Sequence, residues 1–383
     1  MDTQPDALKA AIRDEAFALG FDLVRFTTAA PFPDTARVLH ERIDAGLFDG
    51  LPWFGHDRAD VAADPANLMP EVRSIVSLGI SYLTHGEPDA TEPGVPHGRV
   101  ARYAWGQDYH DVFRQRLRAL HGFVERQLGR PVGSRALSDT ARITDRAVAA
   151  RAGLGWYGKN ANLLTHDFGS WVLLGELLLD VDLLPDQPIR THCGSCARCM
   201  PACPTGAIIA PGVVDNDRCI SYLTIELRGP MPRELRPLVG NWIFGCDICQ
   251  EACPVNAHRD PPDHAEFRPR PEVGSSPALI PLLALTPDEF RDRFRDSPIR
   301  RAKWAGLRRN VCVALGNLRD PASVPALAAV LGEDHALVRG HAAWALGRIG
   351  GDDARAALHA RLAVEEDAWV REEIGLALGE QGA

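Results

Sequence analysis

Nine cysteines constrain this 383-residue chain more than any other feature, because eight of them fall between residues 193 and 253. The first run is Cys193-x2-Cys196-x2-Cys199-x3-Cys203-Pro204, the second is Cys246-x2-Cys249-x3-Cys253-Pro254, and Cys219 stands between them. An iron–sulfur cube needs four thiolates on its corners. In two-cluster bacterial ferredoxins the last cysteine of such a run ligates the other cube. By that rule Cys193, Cys196 and Cys199 share one [4Fe–4S] cluster with Cys253. Cys246, Cys249 and Cys203 hold a second. A complete second run would place a cysteine at 243, where Ile243 stands, so Cys219 completes the set. Paired zinc sites also use Cys-x2-Cys, but a three-cysteine run ending in Cys-Pro is a ferredoxin feature. No Cys-x-x-Cys is followed by His, which excludes attached haem. Cys312, the ninth, lies on the apolar face of a helical stretch and reads as a small core residue.

The surroundings fit reduced thiols. The N-terminal stretch lacks a basic start followed by an apolar run and a small-residue cleavage site. The longest apolar stretch, Trp171 to Leu179, is broken by Gly175 and Glu176. It is too short to span a bilayer. A cytoplasmic protein with no membrane association is expected, and there close cysteines are ligands rather than disulfides. The net charge of −9 argues against a surface coated with nucleic acid but allows a local basic patch.

Three domains are expected. Residues 1–185 read as mixed α/β: a helix over Asp6 to Leu19, strands over Phe21 to Phe26 and Ser74 to Leu83, a long amphipathic helix from Tyr109 to Leu128 stopped by Gly129, and late strands at Asn162 to Leu164 and Trp171 to Leu179. Residues 186–275 hold the cysteines and a proline-rich linker. Residues 276–383 contain Ala314-Leu315-Gly316, Ala345-Leu346-Gly347 and Ala377-Leu378-Gly379, each late in a helical pattern. A repeat of that period implies stacked helix pairs of the HEAT type.

Gly153-x-Gly155-x-x-Gly158 matches a dinucleotide fingerprint, but a helical segment precedes it and a strand follows, the reverse of what that motif needs. It reads instead as a loop whose backbone approaches a large ligand, with Lys159 and Asn160 as donors. Asp139, in Ser138-Asp139-Thr140, reads most simply as a helix N-cap. As a general acid it would need burial to keep its proton near neutral pH. His110 and His192 are lone histidines, more often structural than ligating. From Arg291 to Asn310 there are eight Arg or Lys and two Asp, a net of +6. The bland account is a solvated face; the sharper one is a phosphate-binding surface on Arg291, Arg293, Arg300, Arg301, Lys303, Arg308 and Arg309.

The motifs ARYAWGQDYH (101–110), SDT (138–140), AARAGLGWYGKN (149–160), CGSCARCMPACPTGAI (193–208), DRCISYLTIE (217–226) and GCDICQEACPVN (245–256) together resemble the epoxyqueuosine reductases, and the resemblance covers nearly the whole chain. It implies an α+β multidomain protein: a cobalamin-binding domain like that of nitroreductases and reductive dehalogenases, a ferredoxin-like domain with two [4Fe–4S] clusters, and a HEAT-like tail. The implied reaction is reduction of the epoxide of epoxyqueuosine at the tRNA wobble position, driven by cobalamin that the clusters reduce. Asp139 matches the family's proton donor. Arg58, Tyr103, Asp139, Lys159, Asn160, Ser221 and Asp247 lie in motifs that line the cobalamin pocket. No Asp-x-His-x-x-Gly loop for histidine ligation of cobalt is present, since Asp108-x-His110 is followed by Phe113. The expected partners are epoxyqueuosine-bearing tRNA, held through Arg300, Arg301, Lys303, Arg308 and Arg309, and an external low-potential electron donor. A monomer is expected. The competing readings are a cobalamin-dependent reductive dehalogenase, which would usually carry an export signal, and a HEAT scaffold that only relays electrons.

Overall fold

The computed structural model describes residues 5–84, 86, 92, 94–139, 142–257, 259–262 and 264–380. Thr140, the last residue of the Ser-Asp-Thr step, lies outside the described residues. The chain divides into two compact units that interleave along the sequence: residues 1–84, 108–217 and 248–266 form one, and residues 85–107, 218–247 and 267–383 the other.

The first unit is built on a four-stranded antiparallel sheet. Its strands are β1 (Leu23–Thr28), β2 (Ser74–Ser81), β3 (Ser134–Leu137) and β4 (Val172–Leu179), in the order β1-β2-β4-β3. Every residue of β2 is buried, as expected of a strand covered on both faces. Five helices accompany the sheet: α1 (Pro5–Ala18), α2 (Pro33–Asp44), α3 (His56–Ala63), α4 (Tyr109–Leu128) and α5 (Asp145–Ala152). The long α4 is delimited by its own ends. Asp108 caps it by accepting from the His110 N–H at 3.0 Å, and Gly129 closes it in the left-handed conformation at φ 63°.

The two faces of β4 meet different helices, because side chains alternate along a strand. Phe113 of α4 lies against Gly175, where an added Cβ would stand 2.5 Å from its ring. On the other face Leu178 joins Val148 and Ala147 of α5, with Ile75, Met69 and Leu137, in one apolar cluster. Glu176 shares that second face and is 0% exposed.

The second unit explains the Ala-Leu-Gly repeat. Its helices α6 (Trp304–Leu318), α7 (Val324–Val330), α8 (Ala336–Ile349), α9 (Asp352–Leu362) and α10 (Ala368–Glu380) stack in pairs. A Cβ on Gly316 would sit 2.6 Å from the Trp344 ring and 2.9 Å from the Cα of Ala345, and one on Gly347 would sit 2.8 Å from the Cα of Ala377. Each repeat's glycine therefore receives the next repeat's alanine, and only a missing side chain lets the helices come that close. Gly379 ends the series with nothing near it.

Buried ion pairs tie this array to residues 218–247. Arg236 donates twice to Glu373, at 2.9 and 2.6 Å, and Arg233 also reaches that carboxylate. Arg339 forks onto Glu365 at 2.9 and 2.8 Å, and Arg361 adds a third bond at 2.7 Å. Burial works against the charge on Glu365, but the two guanidinium groups outweigh it and hold its pKa at about 2.

The basic run divides sharply on inspection. Arg308 and Arg309 of α6 are buried, at 2% and 0% exposure, which corrects the expectation that they contact RNA. Arg308 donates to the Leu283 carbonyl and to Glu333. Arg309 donates to the carbonyls of Leu223, Leu227 and Gly229 at 2.6, 2.8 and 3.0 Å. Their long side chains satisfy backbone that would otherwise be orphaned in the interior. Arg309→Leu leaves three carbonyls without donors, and we expect a loss of about 3 kcal/mol in unfolding free energy by urea titration.

Candidate functional site

Four thiols of the first unit, those of Cys193, Cys196, Cys199 and Cys253, lie within electrostatic reach of one another. The Cys196 N–H closes a turn on Cys193 O at 3.1 Å, helped by Gly194 at φ 55°, and Cys199 opens a short helix over Cys199–Ala202. That helix packs on the one over Ile248–Glu251, which brings Cys253 across from the second run. Burial pushes the Cys199 thiol up, and Cys253, Cys193 and Cys196 add to the rise. Cys253 is raised by burial and then by Cys193 and Cys196. Two thiols raised partly by the neighbouring Cys193 and Cys196 fit a set of thiolates awaiting a cationic partner.

Polar side chains staple these loops to the sheet. Lys159 Nζ donates to Gly194 O at 2.9 Å, and Asn160 Nδ2 reaches Cys249 O at 3.4 Å. Gln250 Oε1 accepts from the hydroxyls of Tyr82 and Ser170, at 3.0 and 2.8 Å. Asn256 holds the Ser170 amide at 2.7 Å, a contact possible only beside Gly169, where a Cβ would fall 2.0 Å from Asn256 Oδ1. His192 is structural: its Nδ1 accepts the Gly194 N–H at 2.9 Å. Gly153 ends α5 at φ 80°, and the following Trp156–Tyr157 pairs with Leu163–Leu164. The glycine motif is thus a helix-to-hairpin turn and not a dinucleotide loop.

Cys219 and Cys246 belong to the second unit. Cys219 precedes the helix Ile220–Ile225, which contains Ser221. Gly245 N–H donates to Thr224 Oγ1 of that helix at 3.0 Å, drawing the Cys246 segment toward it. Asp247 is 2% exposed and accepts the Arg102 N–H at 2.8 Å, while Tyr103 lies 6.1 Å from Phe244, ring to ring.

Asp139 stands at the end of β3, and it is not a helix cap. The N-cap of α5 is Thr144, five residues on. Asp139 takes φ 47°, a left-handed conformation that costs a non-glycine residue about 1 kcal/mol and marks functional turns. Its side chain is 59% exposed, so the burial expected of a proton donor is not present in the free protein. Tyr109 Oη donates to Asp139 Oδ2 at 2.5 Å, and His110 Nε2 lies 3.4 Å from the same oxygen. His110 Nδ1 is 2.7 Å from Asp108 Oδ1. Burial disfavours a charged His110, but Asp108 and Asp139 outweigh it and lift its pKa to about 9. The imidazole is therefore a cation at neutral pH. The sequence offers His110 only as a lone histidine, because ring-and-carboxylate contacts about 30 residues apart leave no periodic trace.

Behind this turn the Asp139 N–H donates to Asp145 Oδ1 at 3.2 Å. Arg58 of α3 faces the same corner, with its Cζ 4.7 Å above the Trp53 ring. Burial and then Arg142 lower its pKa, and Asp145 works the other way. Trp53 and Tyr157 are each 49% exposed, and Arg42 and Arg146 influence Tyr157.

Among the surface cations of residues 291–303, Arg291 pairs with Asp288, Arg295 with Asp292, and Arg301 with Glu226 at 2.8 Å. Arg293 donates to the Glu272 carbonyl at 2.6 Å. Arg300 and Lys303 are exposed.

A converging thiol set, a carboxylate presented beside a cationic imidazole, and a helical repeat define an iron–sulfur redox protein with an added α-helical array. Comparison with known proteins agrees part by part. A family model for a 4Fe-4S double cluster binding domain matches residues 192–256, one for HEAT repeats matches 300–379, and one described as Epoxyqueuosine reductase QueG matches 63–140. The epoxyqueuosine reductase of Bacillus cereus is 35% identical over 97% of this chain and 97% of its own, and that of Xanthomonas campestris is 40% identical over 91% and 98%. The crystal structure of an epoxyqueuosine reductase with a tRNA-Tyr epoxyqueuosine-modified stem loop superposes with a TM-score of 0.92, at 34% identity, over 99% of this chain and 100% of that one. The Bacillus subtilis enzyme, solved with its catalytic aspartate loop swung out of the active site, matches at TM-score 0.92 and 33% identity, over 98% of this chain and 100% of that one. The chain belongs to the epoxyqueuosine reductase family, a family of oxidoreductases. Among the described residues no helix is long and apolar enough to cross a membrane.

Proposed function

We propose that this protein reduces the epoxide of epoxyqueuosine in tRNA to the alkene of queuosine. Two electrons and two protons enter, the ring oxygen leaves as water, and Asp139 gives a proton to that oxygen. The observation that carries the reading is Asp139 itself. A carboxyl on a strained turn, exposed toward solvent yet held by Tyr109 and His110, is presented to something outside the chain.

The electron path in this reading begins at two [4Fe–4S] clusters, one on Cys193, Cys196, Cys199 and Cys253, the other on Cys203, Cys219, Cys246 and Cys249. Support for the first set is that the Cys199 and Cys253 thiols both feel Cys193 and Cys196; support for the second is spacing alone. Cobalamin, when bound, supplies a strongly nucleophilic reduced cobalt suited to opening a strained ring. The first unit has surface chemistry that fits such a broad, amide- and phosphate-bearing group: the exposed rings of Trp53 and Tyr157 beside Arg42, Arg58 and Arg146. Arg58, Asp139, Lys159 and Asn160, with Tyr103, Ser221 and Asp247, are the residues we assign to it. Lys159 and Asn160 already hold cluster-bearing loops, so they would tie the cofactor to its electron supply. In this reading a monomer takes electrons from an external low-potential donor.

Exposed Arg300, Arg301 and Lys303 are our assignment for tRNA phosphate contact. Neutralising all three should lower the slope of log K against log salt by about two, measured by fluorescence anisotropy of a labelled anticodon stem-loop. An unchanged slope would mean a merely solvated face. The decisive assay for the function is anaerobic turnover by protein with measured iron and cobalt content. A stem-loop bearing epoxyqueuosine should lose one oxygen by mass spectrometry. Fully loaded protein that leaves the stem-loop intact, or that instead dehalogenates an aryl halide, would overturn the reading.

A further inference from the structure

Glu176 is the anomaly in the interior of the first unit. It interrupts the apolar run Val-Leu-Leu-Gly-Glu-Leu-Leu-Leu of β4. It is wholly buried, and no N–H or O–H donor reaches either of its oxygens. Its neighbours across the sheet are Ser77 of β2 and Leu137 of β3, and the Ser77 hydroxyl is also without a partner. An ionised carboxylate in that position would be very costly. Asp145 is the first residue of α5, a helix that packs on β4, and its carboxyl is the charged group that acts on Glu176. Two carboxylates cannot bond to each other unless one of them carries a proton.

We propose that Glu176 and Asp145 share one proton and together act as positioning residues for Asp139: protonated Glu176 donates to the Asp145 carboxylate, and that carboxylate accepts the Asp139 amide and holds its left-handed turn. The inference deepens the function proposed above and rests on the proton-donor reading of Asp139. The geometry links Asp145 to Asp139, since Asp145 Oδ1 takes the Asp139 N–H at 3.2 Å. The electrostatics run the same way. Burial and then Asp145 raise Glu176 well above the usual carboxyl range, so it keeps the proton. Burial and then the charge of Asp139 push Asp145 up to about 7, while the bond from Glu176 pulls it back. The other titratable groups facing this corner are Arg58 and Tyr157 at Asp145, and Tyr109 and His110 at Asp139. An anionic acceptor makes a stronger bond to an amide than a neutral one. As pH falls through about 7, Asp145 gains its own proton and the hold on Asp139 weakens.

Two measurements test this, one without turnover. Infrared spectra of the folded protein at pH 7.5 should show the carbonyl band of a buried protonated carboxylic acid. That band should vanish in Glu176→Gln, which keeps a donor but has no acid proton. A wild type without the band, or a band unchanged in the variant, overturns the shared proton. The second measurement is the pH profile of kcat on the epoxyqueuosine stem-loop. Glu176→Gln still donates to Asp145 and should leave the acid limb in place. Glu176→Met removes the donor, so the acid limb should move up by about one pH unit or more, with kcat recovering at higher pH. Both variants are compatible with a buried strand position, and a merely structural role would lower kcat at every pH alike. A Met profile superposing on wild type, or a loss independent of pH, overturns the positioning role. If Asp139→Asn proves fully active, the proton-donor reading fails separately, while the infrared band still reports on the pair.

Discussion

Asp139→Asn should leave iron content, cofactor binding and thermal stability as in wild type, and lower turnover of an epoxyqueuosine-bearing stem-loop by about 10²–10⁴-fold. The substitution is close to isosteric. An Asn side-chain oxygen still accepts from the Tyr109 hydroxyl, and the backbone amide still reaches Asp145, so the turn at φ 47° keeps its two anchors. What disappears is a transferable proton. The departing oxygen of an opened epoxide is a poor leaving group until it is protonated. His110 is a cationic group 3.4 Å from Asp139 Oδ2, but its other ring nitrogen is committed to Asp108 at 2.7 Å. Its position behind Asp139 suits it to return a proton to the carboxyl. Single-turnover rates separate the chemical step from tRNA release. Wild-type rates in Asp139→Asn would remove this residue from the chemistry. A parallel loss of cobalt or iron would show that the side chain acts structurally.

The exposure of Asp139 bears on how it keeps a proton at all. Its side chain is 59% exposed in the free protein, where water stabilises the charged form. The Bacillus subtilis relative was seen with its catalytic aspartate loop swung out of the active site, so in that protein the loop moves. In the proposed reading, a nucleoside seated over Asp139 would exclude water and favour the neutral acid.

How much of this was legible in the sequence follows from what each residue interacts with. Helix α4 was readable to both ends because its punctuation is local, with Asp108 before it and Gly129 after it. The Ala-Leu-Gly repeat was readable because stacking imposes the same small-residue need at each turn of the array, seen where Gly316 meets Ala345 and Gly347 meets Ala377. The cysteine runs announced themselves by spacing. Charge was the poorest guide. Arg308 and Arg309 sat in a basic run and read as surface, yet both are buried on backbone carbonyls and on Glu333. Glu176 was noticed only as an interruption in an apolar stretch. Its partner, Asp145, is 31 residues away in sequence on α5, and Asp139 was read as a cap because the helix start was placed too early. For Arg308, Arg309 and Glu176 the deciding contact is tertiary, between residues far apart in the chain, and neither propensity nor periodicity carries that information.

Cys253→Ala should cost the protein one of two cubes, lowering iron from about eight to about four atoms per chain, and abolish turnover. Cys253 is 54 residues beyond Cys199 and belongs by sequence to the second run, yet burial and then Cys193 and Cys196 raise its thiol, and burial and then Cys253 raise that of Cys199. The helices Cys199–Ala202 and Ile248–Glu251 pack together, and the Asn256 and Gln250 side chains fix the second loop to Ser170. The loop carrying Cys253 therefore has its place set by hydrogen bonds outside the thiol, and its backbone should stay put when the sulfur is removed. A cube left with three protein thiolates exposes one iron and is readily lost to oxygen or chelator. Cys312→Ala is the control: its thiol is wholly buried in α6 and pushed up to about 12 by that burial, far from any thiolate role, so iron and turnover should be unchanged. Iron analysis with low-temperature electron paramagnetic resonance of the reduced protein distinguishes the outcomes. One cluster signal lost in Cys253→Ala and none in Cys312→Ala supports the crossed arrangement. Full iron and both signals in Cys253→Ala would place the fourth ligand of the first cube elsewhere and undo the exchange of cysteines between runs.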